Sequence, residues 1–98
     1  MKFKEGVDFT DMHDAVSDPT LLAGLDYIFT KFGVEEAVIT SARDGKHMEG
    51  SLHYKGQAID LRTKHVLEAL TKKIKEYVGS DYDVVLESEH IHLEWDPK

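Results

Sequence analysis

Leu21, Leu22, Leu25, Ile28, Phe29 and Phe32 recur at steps of three and four, the spacing that aligns apolar side chains along one face of an α-helix. Asp18-Pro19 just ahead of them reads as an N-cap followed by proline at the first helical position. Gly33 behind them reads as the stop, so the pattern predicts a helix between Pro19 and Gly33. Ala37-Val38-Ile39-Thr40 is a short β-rich run. Gln57 to Leu61 alternates, with Ala58 and Asp60 on one face and Ile59 and Leu61 on the other. Thr63 can cap a second helix that carries Val66, Leu67, Leu70, Ile74 and Tyr77 and closes at Gly79. Tyr82 to Leu86 and His90 to Trp95 predict a final strand pair, with Glu87 and Ser88 in the turn between them. Residues 1–17 are polar and weakly patterned, an arm or a short first helix. Residues 42–52, with glycine, several charges and His47, read as a loop.

The resulting order is helix, strand, strand, helix, strand, strand. The paired strands stand too close for βαβ crossovers, which implies an α+β fold with a small, mostly antiparallel sheet flanked by two or three helices. Helices would cover one face and leave the other for a site. Ninety-eight residues make a single domain, 1–98, with a modest core that a bound metal would help to hold. The chain has no cysteine, which removes disulfides and thiolate zinc sites. A net charge of -7 repels a phosphate backbone, so nucleic acid is not an expected partner. No polybasic anchor or long apolar run points to a membrane, and Met1 to Asp8 lacks the apolar stretch of a signal peptide, which suits cytoplasmic synthesis. Oligomeric state is left open by the sequence.

The candidate chemistry lies in two segments. His53 and Asp60 stand on either side of Gly56, where the chain can turn from a loop into a strand so that the two face each other. His90 and His92 share one face of the last strand. Two imidazoles and one carboxylate suit a borderline-soft divalent ion such as zinc. Three protein ligands leave one position open, as in catalytic sites. Glu89, at the start of that strand, is placed to act as a general base on water. A His-x-His on a strand is commonly no more than a polar face; the weight comes from both segments occurring in one small chain.

Ser51, His53, Gly56, Ala58 and Asp60 fit every fixed position of the Ser-x-His-x-x-Gly-x-Ala-x-Asp signature of the D-alanyl-D-alanine metallopeptidases. The chain resembles that family, which includes D,D-carboxypeptidases, D,D-dipeptidases and phage L-alanyl-D-glutamate endolysins, over roughly residues 35–96. Glu89 and His92 look like its acid-x-x-His ending. His92-Leu93-Glu94 resembles the run that closes the phage endolysins. His90-Ile91-His92 is similar to the His-x-His of the wider superfamily with lysostaphin-type enzymes and the hedgehog domain. The resemblance implies a hedgehog-like sheet, zinc held by His53, Asp60 and His92, Glu89 as general base, and His90 beside the reacting centre. The implied substrate is a peptidoglycan peptide, and a phage origin would fit. Glu87 and His90 also satisfy acid-x-x-His; the residues after His92 fit the family ending better than those after His90.

Thr40-Ser41-Ala42-Arg43 resembles the family element that ends in a substrate-binding arginine, one residue shorter than its usual Thr-Ser-Gly-aromatic-Arg form. Arg43 would hold an oxyanion or a substrate carboxylate. Ser51 would bind substrate or turn the loop. Glu94 shares the face of His92 and could hydrogen-bond a ligand. Trp95 and Tyr54 could line a groove, with packing against the second helix the stronger reading for Trp95. His13, His47 and His65 receive no role. The rival to a hydrolase is a zinc-stabilised binding or structural module, such as a phage tail or morphogenesis component, to which a general base would be of no use. The bond cleaved, whether D-Ala-D-Ala, L-Ala-D-Glu or a cross-bridge, is not readable.

Overall fold

In the computed structural model, the described residues are 1–33, 37–44, 53, 55–62, 68–87 and 90–97. The expected cap forms: the Asp18 carboxylate accepts a hydrogen bond from the Leu21 amide at 3.1 Å, and Pro19 opens a helix that runs to Lys31. Gly33 follows at φ 82°, the left-handed stop that glycine takes without strain. Numbered along the chain, the elements are β1 (Lys2–Phe3), α1 (Asp14–Ser17), α2 (Pro19–Lys31), β2 (Val38–Ser41), β3 (Ala58–Arg62), α3 (Glu68–Val78), β4 (Tyr82–Leu86) and β5 (His90–Trp95). Thr63, Val66 and Leu67, expected at the start of the second helix, lie outside the described residues.

The strands form one five-stranded sheet in the order β1-β2-β3-β5-β4. The β2–β3, β3–β5 and β4–β5 pairs are antiparallel, and β1 runs parallel to β2, so the α+β fold carries a mixed sheet. Leu25, Ile28 and Phe29 of α2 and Leu70 and Ile74 of α3 join Ile39, Ile59, Leu61, Val84, Ile91 and Leu93 in one buried cluster. Each such side chain stabilises the fold by ~1.5–3 kcal/mol when fully buried. Alternation then sends Ala58, Asp60, Arg62, His90, His92 and Glu94 to the opposite face. No helix among the described residues is long and apolar enough to cross a membrane.

The first seventeen residues make two elements that lack a sequence pattern. β1 is held by Lys2 N–H to Ala37 O and Lys4 N–H to Ile39 O, both 2.9 Å. His13 caps α1, its Nδ1 accepting from the Ala15 amide at 3.0 Å. Its ring stacks on Trp95, centroids 4.2 Å apart and planes 21° from parallel. Trp95 packs against the buried cluster that includes Leu70 and Ile74 of α3, and it also meets the start of α1.

Candidate metal centre

Register brings the site together. Asp60 on β3 stands opposite His92 on β5, and the neighbouring rows on the same face pair Arg62 with His90 and Ala58 with Glu94. His53 enters from the turn that precedes β3. That turn closes with Gly56 N–H to His53 O at 3.1 Å, and Gly56 lies at φ 72°. A Cβ on Gly56 would sit 3.0 Å from Asp11 O and 3.3 Å from Met12 Cα, so the N-terminal arm leaves room only for glycine. His13 N–H donates to Gly56 O at 2.8 Å and fixes the arm there.

Three ligand atoms converge. His53 Nε2 is 3.1 Å from His92 Nδ1 and 3.2 Å from Asp60 Oδ1, and His92 Nδ1 is 3.0 Å from the same oxygen. Metal–ligand bonds of ~2.0–2.1 Å at tetrahedral angles place ligand atoms ~3.3 Å apart, so the triangle fits one cation to within a few tenths of an ångström. His53 and Asp60 are almost fully buried, and His92 is half-buried. Among the described residues this group contains three metal-ligating side chains and no fourth.

The outer nitrogens of both rings are occupied. His53 Nδ1 lies 2.7 Å from the Ala42 carbonyl oxygen, which can only accept, so Nδ1 carries the proton and Nε2 turns its lone pair inward. His92 Nε2 donates to Glu94 Oε1 at 2.7 Å, leaving Nδ1 for the triangle. Metal-binding histidines are ordinarily oriented in this way by a carbonyl or carboxylate behind the ring. The residues present therefore suit a divalent cation.

Burial pushes the Asp60 carboxyl up, but the His53 and His92 rings against it, with His90 at 3.6 Å, outweigh burial and hold the group far below the usual carboxylate range. The hydrogen bond to Asp60 raises His92 to about 9 against the opposing effect of burial, with Glu94 adding to the rise. Without a metal, Asp60 and His92 thus form an ion pair, and a cation bound at Nδ1 would have to displace the proton of His92.

His90 sits at the edge of the triangle, its Nε2 3.6 Å from Asp60 Oδ1 and 3.6 Å from Glu87 Oε1. Of the two acid-x-x-His alternatives, His92 supplies the converging nitrogen and His90 does not. Arg43 follows β2, whose register shifts between Ile39, opposite Leu61, and Ser41, opposite Asp60. Its backbone is fixed by Arg43 N–H to Asp8 O at 2.9 Å. Glu89, Ser51, Tyr54, His47 and His65 lie outside the described residues. Sequence reasoning missed the Ala42 carbonyl, which carries no residue-type signal, and the His13–Gly56 contact, which depends on where the arm lands. The chain matches no protein-family model, no curated protein and no solved structure, so the family resemblance rests on its two short motifs.

Proposed function

We propose that the chain is a zinc-dependent peptidase that hydrolyses a peptide bond in peptidoglycan stem peptides, on a fold of the hedgehog and D,D-peptidase kind. The observation that carries this reading is the triangle of His53 Nε2, Asp60 Oδ1 and His92 Nδ1, with edges of 3.0–3.2 Å on the sheet face away from the α2–α3 core. A resident zinc would supply Lewis acidity for the scissile carbonyl and for water.

The chain's own groups supply the remainder. His53, Asp60 and His92 hold the ion, with Ala42 and Glu94 fixing the ring tautomers. Glu89 takes a proton from the attacking water and delivers it to the leaving amine as the C–N bond breaks. Arg43 stabilises the developing oxyanion, or holds a substrate carboxylate, by charge-assisted hydrogen bonds. His90, a short step from Asp60, donates a hydrogen bond to the tetrahedral centre. Ser51 binds substrate.

Zinc-loaded protein incubated with purified muropeptides should yield new fragments by mass spectrometry, and their masses name the bond. Glu89→Gln should keep zinc and stop the cleavage. Intact muropeptides together with one tightly held zinc per chain would overturn the hydrolase in favour of a zinc-stabilised binding module.

A further inference from the structure

We propose that Asp44 is a positioning residue of the metal centre, acting on His53 through the backbone of Ala42 and tying that ligand to the N-terminal arm. The inference rests on the reading of His53, Asp60 and His92 as metal ligands, and concerns what holds the one of the three that no strand carries. His53 comes from a turn, so no strand register sets its ring. Behind the ring, on the side away from Asp60 and His92, its Nδ1 donates to the carbonyl of Ala42 at 2.7 Å.

That carbonyl belongs to the peptide joining Ala42 to Arg43, and the peptide is gripped at both ends. Its oxygen accepts from His53, and its N–H, on Arg43, donates to Asp8 O at 2.9 Å. One carboxylate oxygen then locks the two segments together: Asp44 Oδ1 accepts from the Ala42 amide at 2.9 Å and from the Asp8 amide at 2.8 Å. Ser41 Oγ closes the turn by donating to Asp44 O at 3.2 Å. These two donors are backbone amides with little freedom. Loss of this oxygen leaves Arg43 N–H to Asp8 O as the tie between the arm and this peptide, so the carbonyl that aims His53 is held less firmly. The same knot holds the backbone of Arg43, the residue proposed to face the substrate.

Zinc affinity, read by competition with a chromogenic chelator, tests the role, with circular dichroism confirming that each variant is folded. Asp44→Ala should raise the zinc Kd by about tenfold or more, in the range seen when the support of a metal ligand is removed. Asp44→Ser keeps a turn-forming residue, but its hydroxyl cannot hold both amides, so it should also weaken binding severalfold. Asp44→Asn keeps an oxygen at the same reach and should restore Kd to within about threefold of wild type. Nitrogen NMR of the metal-free protein should show His53 protonated at Nδ1 in wild type and as mixed tautomers in Asp44→Ala. Asp26→Ala provides the structural control. It cuts the Ala37 amide contact at 3.3 Å and the Met1 ammonium contact at 3.8 Å, so it should lower Tm with zinc Kd unchanged. A wild-type Kd in folded Asp44→Ala or Asp44→Ser, a failure of Asn to restore it, or an equal loss in Asp26→Ala would overturn the role of Asp44 alone. Absence of zinc binding by the wild-type chain would overturn the metal centre itself and this role with it.

Discussion

His92 is steadied by Glu94, two residues further along the same strand, whereas His53 is steadied by Ala42, eleven residues earlier in the connection between β2 and β3. The first arrangement is local. Alternation on β5 places His92 and Glu94 on one face, and pairing with β3 sets His92 opposite Asp60. The second is assembled from three stretches of chain: the turn at Gly56, the end of β2, and the N-terminal arm around Asp8 and His13. A strand-borne ligand inherits its geometry from the sheet. A loop-borne ligand needs a scaffold of its own.

Asp60 serves both halves, so its loss should have the largest effect. Asp60→Ala removes one of three ligands and should weaken zinc by roughly three orders of magnitude, erasing the rise in Tm that zinc gives the wild type. A zinc-induced Tm shift of normal size in that variant would break the assignment. Next comes Gly56→Ala, aimed at the His53 half. The left-handed φ of 72° and the approach of Asp11 O to 3.0 Å both oppose a Cβ. Urea unfolding should show a loss of about 2–4 kcal/mol. Zinc affinity should fall as well, because the turn carries His53; a neutral substitution would show that the arm does not support the site.

Glu94→Ala probes the strand-borne half and should weaken zinc by about 10–100-fold in a chelator competition, with a smaller loss for Glu94→Gln. Equal affinity in all three proteins would remove Glu94 from the centre. The effect of pH is graded. The Asp60 hydrogen bond, helped by Glu94, lifts His92 from 6.5 to about 9 despite burial. In metal-free protein that contribution to stability is complete below 6.5 and is lost as pH rises through about 9. Zinc must displace the same proton, so its apparent affinity should rise by about tenfold per pH unit between 6 and 8. Metal-free stability and zinc affinity should therefore change with pH in opposite directions, as denaturation and titration across that range will show.

The same contrast explains what could be read from the sequence. α2 was legible because its apolar stripe, the Asp18 cap and the Gly33 stop are all local signals. The β4–β5 pair was legible because alternating apolar residues flank a short polar turn. With the strands in register, the meeting of Asp60 and His92 followed. β1 was not legible: it consists of two exposed residues, Lys2 and Phe3, whose pairing rests on backbone hydrogen bonds that leave no residue pattern. The stacking of Trp95 on His13 was missed for a related reason, since the arm's position is set by its contacts at Gly56 and β2. Asp44 looked like one more charge in a loop. Its importance lies in two backbone amides that arrive from different parts of the chain.

The most direct test of the metal centre is a crystal structure of the zinc-loaded protein with anomalous diffraction measured on both sides of the zinc absorption edge. One ion per chain is expected, bonded to His53 Nε2, Asp60 Oδ1 and His92 Nδ1 at about 2.0–2.2 Å, with Glu94 still on His92 Nε2 and the fourth position free of protein side chains. An ion held by His90 in place of His92, a fourth protein ligand closing the site, or no anomalous peak within the triangle would contradict it.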